Sequence, residues 1–285
     1  MMPNPLMTNP PDQPVPEESL ATASVDHALI HDLEDRAFAA WRPLRQMQFG
    51  GWRLGCADGF TRRANSVYPL GQLPAEMDTA AAISACEQWY AAQGQPVCFK
   101  LTSASQPAAL EALLEARGYE RLPGALVMTA DLQGGLMTDP TVTITSALTP
   151  AWVDLLCEMN PGQAAHAAVI QQMLSGEADT VERYFATVFQ QGTPAAVGIA
   201  MREGETVGLF DIVTHPDFRR QGHARRMVQS LLALAAQSGA RMAYLQVVEA
   251  NEPAMMMYQS LGFKPVYQYW YRTVKLRLTD AEILC

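Results

Sequence analysis

The chain has no long hydrophobic stretch. None of its 285 residues lies in an apolar run of about 18 or more, the length that a membrane-spanning helix needs. Its first 23 residues contain six prolines but neither a basic residue nor an apolar core. A secretory signal needs both, so we expect residues 1–24 to form a disordered, Pro-rich tail. These absences predict a cytoplasmic protein with no membrane partner.

Cysteine and positive charge are also scarce. The chain contains five cysteines, an odd number, and no two of them have the CxxC spacing of a metal or redox site. We therefore expect reduced, mostly buried thiols and no metal site. Lys and Arg number 20 against 29 Asp and Glu, which gives a net charge of −9. Such an acidic chain argues against nucleic acid as a partner.

Against this acidic background, one basic segment differs. Residues 211–224 read as a strand that enters a turn containing Gly222, and an amphipathic helix is predicted over residues 225–237. The basic residues of this segment are Arg219, Arg220, Arg225 and Arg226. At a helix start the backbone N–H groups point outward, the helix dipole favours anions, and a glycine lets a ligand approach closely. The segment predicts a polyphosphate site, although a solvated helix start gives the same pattern.

The next forty residues continue in the order strand, helix, glycine, aromatic. A strand is predicted over residues 242–248 and a short helix over 254–261. Arg219-x-x-Gly222-x-Ala224 resembles the Arg/Gln-x-x-Gly-x-Gly/Ala signature of the GNAT superfamily of acetyl-CoA-dependent N-acetyltransferases. A second stretch, from Asn251 through Tyr258 to Gly262-Phe263, resembles that family's second signature at its usual separation. The resemblance covers roughly residues 145–275.

The resemblance implies acetyl-CoA as cosubstrate and assigns a role to several residues. Val213 and Thr214 would bind the pantetheine arm through their backbone, with help from Asn251, and the N–H groups of residues 220–225 would cradle the pyrophosphate. Tyr258 would protonate the departing CoA thiolate, although a helix aromatic packed in the core is the alternative. The implied cofactor-binding residues are Val213, Thr214, Arg219, Arg220, Gln221, Gly222, His223, Ala224, Arg225 and Asn251.

The general base is harder to assign. Several relatives place a glutamate on the strand before the second signature, but the corresponding residue here is Gln246, which cannot usefully accept a proton. The nearest carboxylates are Asp211 and Glu249. Asp211 lies in an apolar strand, where burial would raise its pKa, so it is either the base or part of a salt bridge. We interpret His215 and His223 as surface turn residues.

The first half of the chain repeats the second at an offset of 144 residues. This offset places Gly118-Tyr119 on Gly262-Phe263 and a predicted helix at 78–92 on the helix at 222–236. The predicted fold class is therefore α/β (α+β), with two GNAT-like lobes, each a mixed, mostly antiparallel central sheet flanked by helices. We expect a degenerate lobe at residues 25–134 and a catalytic lobe at 141–285.

The first copy lacks the residues that the resemblance assigns to the cofactor. Asp78 takes the place of Gly222, Glu76 takes that of Arg220, and Leu114 takes that of Tyr258. Acidic residues in that turn would repel a pyrophosphate, so we expect no cofactor site in the first lobe.

Two roles are open for a lobe without cofactor. It either buries a face of the active lobe and pairs with its sheet edge, or helps to form the acceptor pocket. Arg62, Arg63 and Asn65 are the candidate acceptor-binding residues, because guanidinium groups bind carboxylates well. If they lie on a strand, Arg63 and Asn65 share one face, which is then simply solvated.

The sequence thus predicts an enzyme that moves an acetyl group from acetyl-CoA to a primary amine of a small molecule by direct attack. The acceptor would be an amino acid, an amine metabolite or an antibiotic, and the protein a monomer or homodimer. Two alternatives stay open: a non-catalytic acyl-CoA-binding module and a protein or peptide N-terminal acetyltransferase.

Overall fold

A computed structural model describes residues 26–132, 134–176 and 180–274. The predicted tail and Cys285 lie outside the described residues. The described helices are α1 (His27–Ala40), α2 (Thr79–Ala92), α3 (Leu110–Ala116), α4 (Pro150–Met159), α5 (Ala167–Ser175), α6 (His223–Gln237) and α7 (Glu252–Ser260). The described strands are β1 (Arg45–Phe49), β2 (Trp52–Cys56), β3 (Val67–Pro69), β4 (Cys98–Leu101), β5 (Glu120–Asp131), β6 (Val142–Thr145), β7 (Val181–Gln190), β8 (Thr193–Glu203), β9 (Thr206–Thr214), β10 (Met242–Val247) and β11 (Lys264–Thr273).

The strands form one 11-stranded sheet in the order β1-β2-β3-β4-β11-β5-β10-β9-β8-β7-β6. Two pairs, β3 with β4 and β9 with β10, are parallel, and the other pairs are antiparallel. The predicted fold class is confirmed: helices flank a mixed, mostly antiparallel sheet.

The two halves of the sheet are joined through their last strands, β5 and β11, which are neighbours in the sheet. Strand β5 ends the first half, yet it pairs with β10 of the second half from Leu126 to Asp131. Strand β11 ends the second half, yet it pairs with β4 of the first half. It also pairs with β5 as far as Glu120. The first half therefore does pair with the sheet of the second.

The internal repeat is visible in the elements themselves. Helix α2 starts at Thr79 and α6 at His223, which matches the offset found in the sequence. Strands β4 and β10 start at Cys98 and Met242, and strands β5 and β11 start at Glu120 and Lys264, again at that offset. The predicted limits of the two lobes, 25–134 and 141–285, stay a prediction because the sheet is continuous across them.

Helices cover both faces of the sheet. Helices α1, α4 and α5 pack on one face, where an apolar core draws residues from both halves. The opposite face is covered by α6 and α7 in the second half and by α2 and α3 in the first. On β10, Tyr244 lies in the first core while Ala243 and Leu245 lie in the second, as strand alternation requires.

The cysteines behave as their number and spacing predict. Cys56, Cys86, Cys98 and Cys157 are buried and form no disulfide. Burial raises the pKa of Cys86 to about 12 and that of Cys98 to about 11, so both thiols are protonated and unreactive near neutral pH. Among the described residues no His, Cys, Asp and Glu side chains group as metal ligands would, and no helix has the length and apolarity to cross a membrane.

Candidate active site

The central feature of the second half is a gap between two parallel strands. Strands β9 and β10 pair from Thr206 with Met242 as far as Leu209 with Leu245. Beyond that point β9 continues against β8, and β10 continues against β5. The strands therefore separate toward their carboxyl ends, where Val213 and Thr214 are half-buried at the edge of β9. Their backbone groups on that edge can bind an extended ligand as a strand would.

A β-bulge deforms β9 at the entrance to this gap. The pairing with β8 passes from Val197 to Ile199 while β9 advances over both Asp211 and Ile212. Asp211 has φ +45°, which non-glycine residues rarely adopt. Opposite it, a Cβ at Gly198 would meet the end of the Ile212 side chain at 2.6 Å, so a larger residue there would require Ile212 to move. Bulges redirect a side chain, and here the redirected side chain is the candidate base.

The N-terminus of α6 lies beside the gap and lacks a capping side chain. Gly222 occupies the cap position with φ +83°, and its carbonyl accepts a hydrogen bond from the N–H of Arg226. A Cβ added at Gly222 would find no atom within 4 Å, so the space in front of the helix is open. The first-turn N–H groups have no intrahelical acceptor, so this terminus is suited to binding an anion.

Exposed polar side chains surround that terminus. Arg219, Arg220 and Gln221 are exposed, and Arg220 has φ +62°. The amide of Gln221 contacts the amide of Gln190 at 3.0 Å, which ties the turn to the end of β7. Arg225 donates to the Ser260 hydroxyl at 2.6 Å and so links α6 to α7. These two contacts connect the basic turn to β7 and the first turn of α6 to α7.

The prediction that His223 is a surface turn residue is wrong. It is the first residue of α6 and is only 4% exposed. Its ring packs edge-on against Phe218 at 6.2 Å, and its Nδ1 lies 2.7 Å from a guanidinium nitrogen of Arg226. Burial, and then Arg226, lower its pKa, so the ring is neutral. Its backbone N–H still belongs to the first turn of the helix.

Helix α7 carries the second signature. Asn251 caps the helix, since its side-chain oxygen accepts from the N–H of Ala254 at 3.3 Å. Tyr258 is 7% exposed and packs edge-on against Phe263 with ring centroids 5.7 Å apart. Burial raises the pKa of the Tyr258 phenol. The hydroxyl therefore keeps its proton at ordinary pH and is able to donate it.

Asp211 has the surroundings that a general base needs. Its Oδ2 is buried without a hydrogen-bond partner. Burial raises the pKa of its carboxyl, and the charge of Arg63 and the side chain of Gln163 lower it in part. Glu249, the other candidate, is exposed, and the Gln246 side chain accepts a hydrogen bond from Tyr269 at 3.1 Å.

The first half contributes a loop to this face of the sheet. Residues 57–66 form turns between β2 and β3, so the strand face proposed for Arg63 and Asn65 does not exist. The Asn65 amide is occupied within the loop, accepting from the N–H groups of Ala57 and Gly59 and donating to the carbonyls of Phe60 and Thr61.

Arg62 and Arg63, by contrast, point toward rings that both halves supply. Arg63 lies 5.7 Å from the Trp41 ring and 5.9 Å from the Phe210 ring, and Arg62 lies 5.9 Å from the Tyr271 ring. The proximity of Arg63 to Asp211 was not predicted. A fixed sequence offset compares equivalent positions of the two halves and gives no signal for contacts between them.

Comparison with known proteins agrees with this geometry. Residues 27–272 match the family described as probable histone acetyltransferase Rv0428c C-terminal. The chain belongs to this family of GNAT N-acetyltransferases. This acetyltransferase is 28% identical over 256 residues to the uncharacterized N-acetyltransferase YobR of Bacillus subtilis, covering 85% of this chain and 98% of YobR.

Two further relatives bear on different parts of this acetyltransferase. It is 34% identical over 106 residues to the ribosomal protein bS18-alanine N-acetyltransferase of Escherichia coli, covering 36% of this chain and 71% of that one. In fold it is similar to a GCN5-related N-acetyltransferase from Kribbella flavida, with a TM-score of 0.61 and 16% identity, covering 89% of this chain and 97% of the other. The enzyme class, acyltransferase, follows from family membership.

Proposed function

We propose that the protein transfers an acetyl group from acetyl-CoA to the primary amine of a small molecule. The observation that carries this proposal is the gap between β9 and β10, which leads from the uncapped N-terminus of α6 to the buried carboxyl of Asp211. A polyphosphate fits the helix terminus, an extended pantetheine arm fits the strand edge, and an amine fits the carboxylate.

The chemistry follows from these positions. The Asp211 carboxylate removes a proton from the acceptor's ammonium, and the amine nitrogen then forms a bond to the thioester carbon. The carbonyl oxygen takes the electron pair as an oxyanion, which the N–H near Val213 stabilises. The oxyanion collapses, the C–S bond breaks, and the thiolate takes the Tyr258 hydroxyl proton. The nitrogen then releases its second proton, which restores the Tyr258 phenol, and Asp211 returns the first proton to solvent. Amide and CoA thiol are the products.

The first experiment measures acetyl-CoA binding by calorimetry and thiol release over a panel of amines. Asp211→Asn should leave acetyl-CoA affinity unchanged and lower kcat/KM by about 10²–10⁴-fold, the usual contribution of a general base. Because burial raises the pKa of Asp211, its ionised form destabilises the folded state above the ordinary Asp range. The variant's Tm near neutral pH should therefore not fall.

Three other outcomes would contradict parts of the proposal. An unchanged rate in Asp211→Asn would remove the base assignment. Binding of one equivalent of acetyl-CoA without thiol release from any amine would favour a non-catalytic acyl-CoA-binding module. Absence of binding would overturn the assignment of the basic turn.

A second candidate function is acetylation of a protein N-terminus. It is favoured by the similarity to the bS18-alanine N-acetyltransferase, which covers 36% of this chain. Short peptides in the same panel test it. Release of thiol with peptides but not with free amines would replace the first proposal by this one.

A further inference from the structure

Two opposite charges face each other beside the bulge of β9 without forming an ion pair. The charge of Arg63 is close enough to lower the pKa of Asp211. Within the described residues, however, neither Arg62 nor Arg63 forms an ion pair with a carboxylate. The Arg63 guanidinium lies against the Trp41 and Phe210 rings, which themselves stack at 5.7 Å. The two side chains therefore do not satisfy each other through a direct ion pair.

The acidic side of this arrangement has two buried acceptors without a donor. Asp211 Oδ2 and Gln163 Oε1 both lack a hydrogen-bond partner, and Gln163 is only 5% exposed. The Gln163 side chain also contacts Asp211. A buried acceptor without a partner costs about 1–3 kcal/mol, so a donor belongs there. An ammonium group, with three N–H donors, satisfies both oxygens.

The basic side has donors without an acceptor. The Trp41 indole N–H is buried and has no hydrogen-bond partner. Arg62 and Arg63 add two guanidinium groups on consecutive residues of the loop from the first half. Guanidinium groups bind carboxylates with two parallel hydrogen bonds.

We propose that the acceptor is an amine carrying its own carboxylate, of the α-amino acid class. Asp211 and Gln163 bind the ammonium, while Arg62, Arg63 and Trp41 bind the carboxylate. The inference rests on the proposed function, and it assigns the first half a part in substrate selection. Polyamines and simple alkylamines lack the anionic group and leave the arginines without a partner.

The test compares acceptors that differ only in the carboxylate. Leucine, phenylalanine and lysine are each assayed beside their α-amide and their decarboxylated amine, with thiol release as the readout. The amino acid should exceed both analogues in kcat/KM by about tenfold or more, the strength of a charge-assisted hydrogen bond. Arg63→Met should reduce this preference to about twofold or less. Its effect on Asp211 acts on all acceptors alike and cancels in the ratio.

Arg121→Met is the matched control. Arg121 also belongs to the first half and stacks on a ring, that of Trp270 at 4.6 Å, but lies away from Asp211. Its loss should leave the preference unchanged. Equal rates for amino acid and amine in the wild type, or equal loss of preference in both variants, would overturn the inference while transfer itself still stands. Preference for the α-amide would overturn it in favour of a peptide N-terminus.

Binding separates this inference from the proposed chemistry. If no acceptor gives turnover, each amino acid is titrated by calorimetry into the CoA-saturated protein. Binding that exceeds that of the matched amine, and loses this excess in Arg63→Met, supports the inference although transfer has failed. Binding without such a preference, or no binding, overturns it.

Discussion

Helices α2 and α6 start at equivalent positions of the repeat, but only the first has a side-chain cap at its N-terminus. In α2, Asp78 caps the helix, and its carboxylate accepts from the N–H of Ala81 at 2.7 Å. In α6, Gly222 has no side chain and no capping hydrogen bond. The N-terminus of α2 is therefore occupied by the Asp78 carboxylate, whereas the equivalent N-terminus of α6 is open to an anion. Equivalent helix starts can thus differ in anion binding without a change of fold.

The largest expected effect is that of replacing Tyr258 of α7, which corresponds to Leu114 of α3. Leu114 is fully buried, and Tyr258 differs by presenting a hydroxyl that burial keeps protonated. Tyr258→Phe makes the second half resemble the first, and kcat should fall by about a hundredfold or more because the thiolate loses its proton donor. Steady-state thiol release measures this, with calorimetry to show unchanged acetyl-CoA affinity.

Tyr90→Phe serves as the control for that change. The Tyr90 hydroxyl donates to the carbonyl of Gly55 at 2.6 Å in the buried core of the first half. Its loss should cost about 1 kcal/mol of stability and leave kcat unchanged. Unchanged kcat in Tyr258→Phe would show that the two α-helical positions do not differ in function.

A smaller effect is expected when the capping carboxylate is copied into the second half. Gly222→Asp places a negative charge where we propose that the pyrophosphate binds, at a repulsion of about 2–3 kcal/mol in a partly exposed site. Acetyl-CoA affinity, measured by calorimetry, should fall by about 30- to 150-fold. Gly222→Asn carries the same left-handed strain without the charge. Equal affinities in the two variants would exclude charge as the cause.

The smallest effect is expected from removing the cap in the first half. Asp78→Ala should cost about 1 kcal/mol of stability, the usual value of a cap, measured by urea unfolding. Acetyl-CoA binding should keep its stoichiometry and affinity, because Glu76 remains and would still repel a pyrophosphate there. A second equivalent of acetyl-CoA bound by this variant would show that Asp78 alone closes the first site.

Local sequence was sufficient for most elements and for the turn before α6, but strands β1 and β6 were not predicted. Helix and strand positions follow from hydrophobic period, caps and glycines, each of which acts within a few residues. The burial of His223 was not predictable in this way, because it depends on packing against Phe218 and on the guanidinium of Arg226. The bulge at Asp211 was also missed, since a bulge is defined by the partner strand.

The contacts between the halves were the least predictable part of the site. The repeat relates each residue of the first half to its equivalent in the second, and so it gives no information on pairs of non-equivalent residues such as Arg63 and Asp211. Their proximity arises from tertiary packing of a loop on a distant strand, for which a single sequence carries no periodic signal.

The sharing of terminal strands also constrains how the chain is made. During synthesis, β4 emerges early, but its neighbour β11 is the last described strand to leave the ribosome. Until then β4 has an unpaired edge, and nascent chains with such edges are prone to pair with other molecules. The sheet of the first half is therefore incomplete until the second half has been synthesised. The two halves complete their shared sheet in one step, the pairing of β11 with β4 and β5.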